Sequence, residues 1–138
     1  MRHFVLDASV ALAWILEKPA SDYAVAVQAK LHHGQRGVVP ALWHLEIANG
    51  LAMAERRKDL TADDVAEALD QLELTATTKL DTALGLISSR DVLSIASSFQ
   101  LTAYNAAYLW LARSEGLPLA TLDKPLRAAA GKAGVKLV

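Results

Sequence analysis

His3-Phe4-Val5-Leu6-Asp7-Ala8-Ser9-Val10-Ala11-Leu12 begins as an almost unbroken apolar run, meets one acid, and passes into small residues able to start a helix. An apolar run without alternation suits a strand covered on both faces, as in the middle of a parallel sheet. Asp7 then stands at the strand's carboxyl end, where open α/β sheets bind their ligands. The same aspartate would serve equally as the cap of a helix starting near Ser9, since Asp accepts hydrogen bonds from orphan amides there. The choice turns on whether other acids reach the same edge.

Further along, Val10 to Leu16 is helix-compatible and stops near Glu17-Lys18-Pro19, because proline disfavours helix in the residue before it. Ser21 or Asp22 caps a second helix that ends at His33-Gly34. Gly37-Val38-Val39-Pro40 reads as a short strand. The segment from Ala41 to about Lys58 is apolar nearly all round, which predicts a helix that is buried or lies in a subunit interface. Within it Glu46 and Asn49, three apart, share a face. A carboxylate in such surroundings needs a partner, either a neighbouring Arg or a functional site. Arg56-Arg57-Lys58 complements the helix dipole, with a phosphate contact as the other use. Thr61-Ala62-Asp63-Asp64 caps a helix through about Glu73, and the two helices form a hairpin able to serve as a partner-binding arm.

Thr75 to Leu80 is expected to be a third strand, followed by a helix from near Asp81 to about Phe99. Thr102 is a natural N-cap that puts Asn105 in the first turn, where the dipole would favour an acid over an amide. Tyr104, Tyr108 and Leu111 fall on one face and read as core. Leu119-Ala120-Thr121-Leu122-Asp123 is a strand ending in an acid, Lys124-Pro125 opens a last helix, and Gly134-Val135-Lys136-Leu137-Val138 looks like a final strand. This alternation predicts a three-layer α/β/α domain around a mostly parallel sheet.

The 138 residues suffice for one ordinary domain with a real core, and 53% of them are hydrophobic. No cysteine is present, which excludes disulfides and thiolate metal sites. A net charge of −1 argues against holding nucleic acid by bulk positive charge, though not against a local basic patch or a metal. No basic segment leads into a long apolar stretch, so a cytoplasmic protein without membrane association is expected. His32 and His33 close a helix while His3 and His44 are isolated, so the histidines do not form a zinc set.

Asp7 and Asp123 both end strands that would share an edge, and Glu46 and Asn105 lie on helices after strand-like or loop segments. Several carboxylates in one pocket repel strongly unless a cation neutralises them, and the ion suited to oxygen ligands is Mg²⁺ or Mn²⁺. The chain here resembles a PIN domain, specifically a VapC-type ribonuclease toxin of a type II toxin–antitoxin system. The resemblance is carried by Val5-Leu6-Asp7-Ala8-Ser9, by Pro40-Ala41-Leu42-Trp43 leading to Glu46-Ile47-Ala48-Asn49-Gly50-Leu51, by Leu101-Thr102-Ala103-Tyr104-Asn105-Ala106-Ala107-Tyr108, and by Leu119-Ala120-Thr121-Leu122-Asp123. It spans essentially the whole chain, residues 1–138 forming a single PIN domain.

The resemblance implies metal-assisted hydrolysis of RNA, with Asp7, Glu46 and Asp123 as acids of a Mg²⁺ or Mn²⁺ site and Ser9 and Thr121 as polar supports or local caps. It also implies a VapB-like antitoxin and a toxin homodimer, within which a higher toxin–antitoxin assembly can form. One departure stands out: the family pattern carries an aspartate where this sequence has Asn105. An amide oxygen still ligates an ion but brings no charge, so the implied site at position 105 is weakened. Two origins fit this departure, a natural variant or an Asp-to-Asn change that spares an expression host, and the intact flanking motif favours the second. The rival class is a catalytically silent PIN-like binding protein acting through an antitoxin or RNA partner. A haloacid dehalogenase-like phosphoryl transfer from Asp7 would want a second acid where Ser9 stands.

Overall fold

The computed structural model describes residues 2–85 and 87–138. Four strands, β1 (His3–Leu6), β2 (Arg36–Pro40), β3 (Leu80–Ala83) and β4 (Leu119–Ala120), form a sheet in the order β3-β2-β1-β4. Every strand pair is parallel, with Val5 opposite both Val38 and Leu119. Seven helices join them among the described residues: α1 (Ala8–Leu16), α2 (Asp22–His32), α3 (Leu42–Arg56), α4 (Ala62–Lys79), α5 (Ser89–Phe99), α6 (Ala103–Glu115) and α7 (Lys124–Ala133).

The opening stretch behaves as its composition requires. Phe4, Val5 and Leu6 are all buried. Successive strand residues point to opposite faces, so helices must cover both faces of the sheet. Ser21, Thr61 and Thr102 each accept a backbone amide at the start of α2, α4 and α6. Gly37 lets β2 and β3 close on each other, since a Cβ there would meet Leu80 Cδ2 at 2.6 Å.

Several boundaries fall elsewhere than the sequence predicts. Thr75 to Thr78 belong to α4, and the third strand comes after them. Threonine costs little in this helix because Thr75, Thr77 and Thr78 donate their hydroxyls to the carbonyls of Gln71, Glu73 and Leu74 one turn back. Asp81 begins no helix. It pairs with Arg36 at 2.8 Å across β2 and β3, while Ser88 caps α5 by accepting from Asp91 N; Leu86, inside the expected 81–99 helix, lies outside the described residues. The strand at Leu119 has two residues, and of the expected terminal strand only a bridge from Leu137 to Leu119 forms. Helix α3 is not buried all round: Trp43, Ile47 and Leu51 face the core, whereas Leu45 is 73% exposed. Tyr104 is likewise 65% exposed, while Tyr108 and Leu111 are interior.

Candidate functional site

Strands β1 and β4 are neighbours with Leu6 opposite Ala120, so the residues beyond their carboxyl ends share one edge of the sheet. Asp7 is the N-cap residue of α1 but makes no side-chain capping hydrogen bond. Its Oδ2 accepts instead from the hydroxyls of Ser9 and Thr121, both at 2.7 Å. Ser9 Oγ in turn accepts from Leu122 N at 3.0 Å, and Thr121 Oγ1 from Asp123 N at 3.0 Å. With backbone amides on their acceptor sides, the two hydroxyl protons are left for Asp7, so Ser9 and Thr121 support this carboxylate directly.

Asp123 caps α7, its Oδ2 accepting from Leu126 N at 2.9 Å. The same oxygen accepts from Asn105 Nδ2 at 3.0 Å. Because a carboxylate can only accept, the amide must turn its NH₂ toward Asp123. Thr102 caps α6 through Asn105 N, which fixes the turn that carries this amide. Arg127 holds the β4–α7 connection, donating to Thr121 O at 2.7 Å while its guanidinium lies 4.9 Å from the Tyr23 ring centroid.

Glu46 reaches the same place from α3, and its partner is not an arginine. Tyr108, on α6 one turn beyond Asn105, donates its hydroxyl to Glu46 Oε1 at 2.6 Å. Sequence pattern assigned Tyr108 to the core, and its ring is there. The hydroxyl's role in the site was missed; its i, i+3 spacing from Asn105, which places both on one face, was the available signal.

Asp7, Glu46, Asn105 and Asp123 all line a crevice of about 260 Å³, together with Ser9, Asn49 and Gly50. Among the described residues, no lysine or arginine lines it. Burial raises the Asp7 carboxyl above its usual range, and Asp123 adds to this against the hydroxyls of Thr121 and Ser9. Burial also raises Glu46, with a contribution from Asp7, against the Tyr108 hydrogen bond. Burial and the same two carboxylates push the Tyr108 phenol far upward, so it keeps its proton and stays a donor. A larger cavity of about 510 Å³, lined by Arg113, Pro118 and Lys136 among others, lies at the amino end of β4 and contains no acid.

The family model of the PIN domain matches residues 4–132, nearly the whole chain. The chain belongs to the PIN domain family. PIN domains are generally nucleases, and those nucleases generally use divalent metals. No curated protein sequence matches this PIN domain. Among solved structures it is similar to PAE2754 from Pyrobaculum aerophilum, with 25% identity and a TM-score of 0.71 over 93% of this chain and 84% of that one. It also shares its fold with FitAcB from Neisseria gonorrhoeae, at 17% identity and a TM-score of 0.64 over 97% of this chain and 95% of the other.

The crevice offers carboxylate and amide oxygens and no nitrogen or sulfur ligands from His or Cys. In kind, that donor set fits a hard divalent cation such as Mg²⁺ or Mn²⁺. So does the charge, since two carboxylates with raised pKa line one crevice to which no described basic side chain contributes. Among the described residues, however, no three His, Asp or Glu side chains form a ready-made metal group. Asn105 adds no charge there and donates its amide to Asp123. Nor is any described helix long and apolar enough to cross a membrane.

Proposed function

We propose that this PIN domain is a Mg²⁺- or Mn²⁺-dependent endoribonuclease, the toxin of a VapC-type type II toxin–antitoxin system, attenuated by Asn105. The carrying observation is the arrival of Asp7, Glu46 and Asp123, from three distant segments, in one crevice without a basic side chain. Residues 1–138 act as one domain in this reading, in the cytoplasm, on RNA.

Mg²⁺ is commonly held by one or two carboxylates together with waters and substrate phosphates, so a tight cluster of three acids is not a requirement. Asp7 and Asp123 are the proposed direct ligands, with Asn105 offering at most an amide oxygen and Glu46 placing a water or a second ion. The chemistry such an ion supplies when bound is polarisation of a phosphoryl oxygen and a lowered pKa for water. Ser9 and Thr121 keep Asp7 in a single orientation, and the α7 cap keeps Asp123 in its own. Acids also repel the RNA backbone, so cation binding and substrate binding are one requirement. A VapB-like antitoxin and a second copy of the chain are the proposed protein partners, and the exposed Leu45 and Met53 on α3 leave apolar surface for them.

The second reading, a catalytically silent binding protein acting through an antitoxin or RNA partner, rests on the same Asn105. Cleavage of structured RNA in Mg²⁺ or Mn²⁺ separates the two, comparing this chain with Asn105→Asp and with Asn105→Asp/Asp7→Ala. The expected order is strong cleavage for the single variant, weaker for the parent, and none for the double variant. If Asn105→Asp cleaves no RNA with either metal, the nuclease reading fails.

A further inference from the structure

We propose that Tyr108 is a positioning residue for Glu46, tying that carboxylate to the turn that carries Asp7. This rests on the metal-dependent reading of the crevice. Tyr108 has no exposed surface. Its hydroxyl oxygen accepts from Ala8 N at 3.4 Å, and its proton goes to Glu46 Oε1 at 2.6 Å. The direction of this relay is fixed: an amide can only donate, so the oxygen facing Ala8 accepts and its single proton is free for the carboxylate. One buried hydroxyl therefore joins the first residue of α1, the acid of α3 and the face of α6 that carries Asn105.

A phenylalanine would fill the same volume, so packing alone does not account for the hydroxyl. Glu46 receives no other side-chain donor among the described residues, and the Arg36–Asp81 pair is the only salt bridge found among them. With Oε1 engaged by Tyr108, Oε2 is left without a protein donor and is available to water or an ion. Without the hydroxyl, a half-buried carboxylate on a flexible side chain has no reason to keep that orientation. Partners that orient a ligand through hydrogen bonds typically change metal affinity or activity about 10–100-fold when removed.

The test is Mn²⁺ binding to the full chain, followed by loss of the free-ion paramagnetic resonance signal, with the fold checked by circular dichroism. The variants are Tyr108→Phe, Glu46→Gln, the pair combined, and Glu46→Asp, which keeps the charge but draws it back from Tyr108. The last variant changes only a half-buried helix residue and serves if Tyr108→Phe does not fold. Expected results are a loss of about 10–100-fold in Mn²⁺ affinity for Tyr108→Phe, a comparable loss for Glu46→Asp, and no further loss when Tyr108→Phe is added to Glu46→Gln. A folded Tyr108→Phe that binds Mn²⁺ as tightly as the parent, or a Glu46→Asp that does so, overturns the positioning role and leaves the nuclease reading standing. Failure of the parent itself to bind Mn²⁺ removes the metal-dependent reading and this proposal with it.

Discussion

Placing an acid at position 105 should make the stability of this protein depend on a divalent cation. In Asn105→Asp the amide that donates to Asp123 Oδ2 at 3.0 Å becomes a second carboxylate of the same size. The lost bond has a charged acceptor, a class worth about 1.5–3 kcal/mol. Two unit charges about 4 Å apart at an effective dielectric near 20 repel by about 4 kcal/mol, but position 105 is only half-buried and its side chain can turn toward water. We therefore count about 1–2 kcal/mol of repulsion. An offset of about 0.3–1 kcal/mol comes from an acid in the first turn of α6, where it can form with Thr102 the kind of capping box that Asp64 makes with Thr61 in α4. The net loss without metal is about 2–4 kcal/mol, or a melting temperature lower by roughly 10 °C for a domain of this size.

A cation present at about a hundred times its Kd returns about 2.7 kcal/mol. Thermal melts followed by circular dichroism, with chelator and with saturating Mg²⁺, read both effects. The variant should melt well below its parent in chelator and recover with Mg²⁺, while the parent shifts much less. If the variant melts as high as the parent in chelator, or ignores Mg²⁺ and Mn²⁺ alike, the assignment of position 105 to a cation site beside Asp123 is wrong.

Other perturbations test separate parts of the structure. The Asp7 carboxyl is raised above its ordinary 3.8 in the folded state, so its stabilising contribution is complete below that value and is lost as pH rises through the raised one. Asp7→Asn should remove this loss: in metal-free buffer its urea midpoint should match the parent's in acid and exceed it at neutral pH, and a lower midpoint at neutral pH would contradict the uncompensated charge. At the start of α4, Thr61 Oγ1 accepts from Asp64 N at 3.1 Å while Thr61 N donates to Asp64 Oδ2 at 2.9 Å. Thr61→Ala should cost about 1 kcal/mol of stability and leave cleavage unchanged, since neither Thr61 nor Asp64 lines the crevice; an unaltered melting temperature would mean that this helix end is frayed in solution.

Much of the molecule was legible because its signals are local. An apolar strand running into Asp7, Thr61 and Thr102 in capping positions, and proline at the start of α7 each depend on residues within about one helical turn. Asp7 and Asp123 could be picked out as neighbours because parallel strands of one sheet end on one edge, whereas Glu46 and Asn105, on α3 and α6, were joined to them only by the family resemblance. Chain periodicity said less about Thr75 to Thr78, whose β-branched side chains suit a strand until their hydroxyls find carbonyls one turn back.

What the amino-acid order determined by itself is the parallel α/β architecture and that the acids following β1 and β4 share an edge. Only tertiary structure decided their partners: Ser9 and Thr121 for Asp7, Asn105 for Asp123, and Tyr108 rather than an arginine for Glu46. Those last contacts span 114, 18 and 62 residues for Thr121, Asn105 and Tyr108. A buried ring and a buried ring bearing a working hydroxyl share one hydrophobic pattern, and they differ only in what the packed chain sets within about 3 Å of the oxygen.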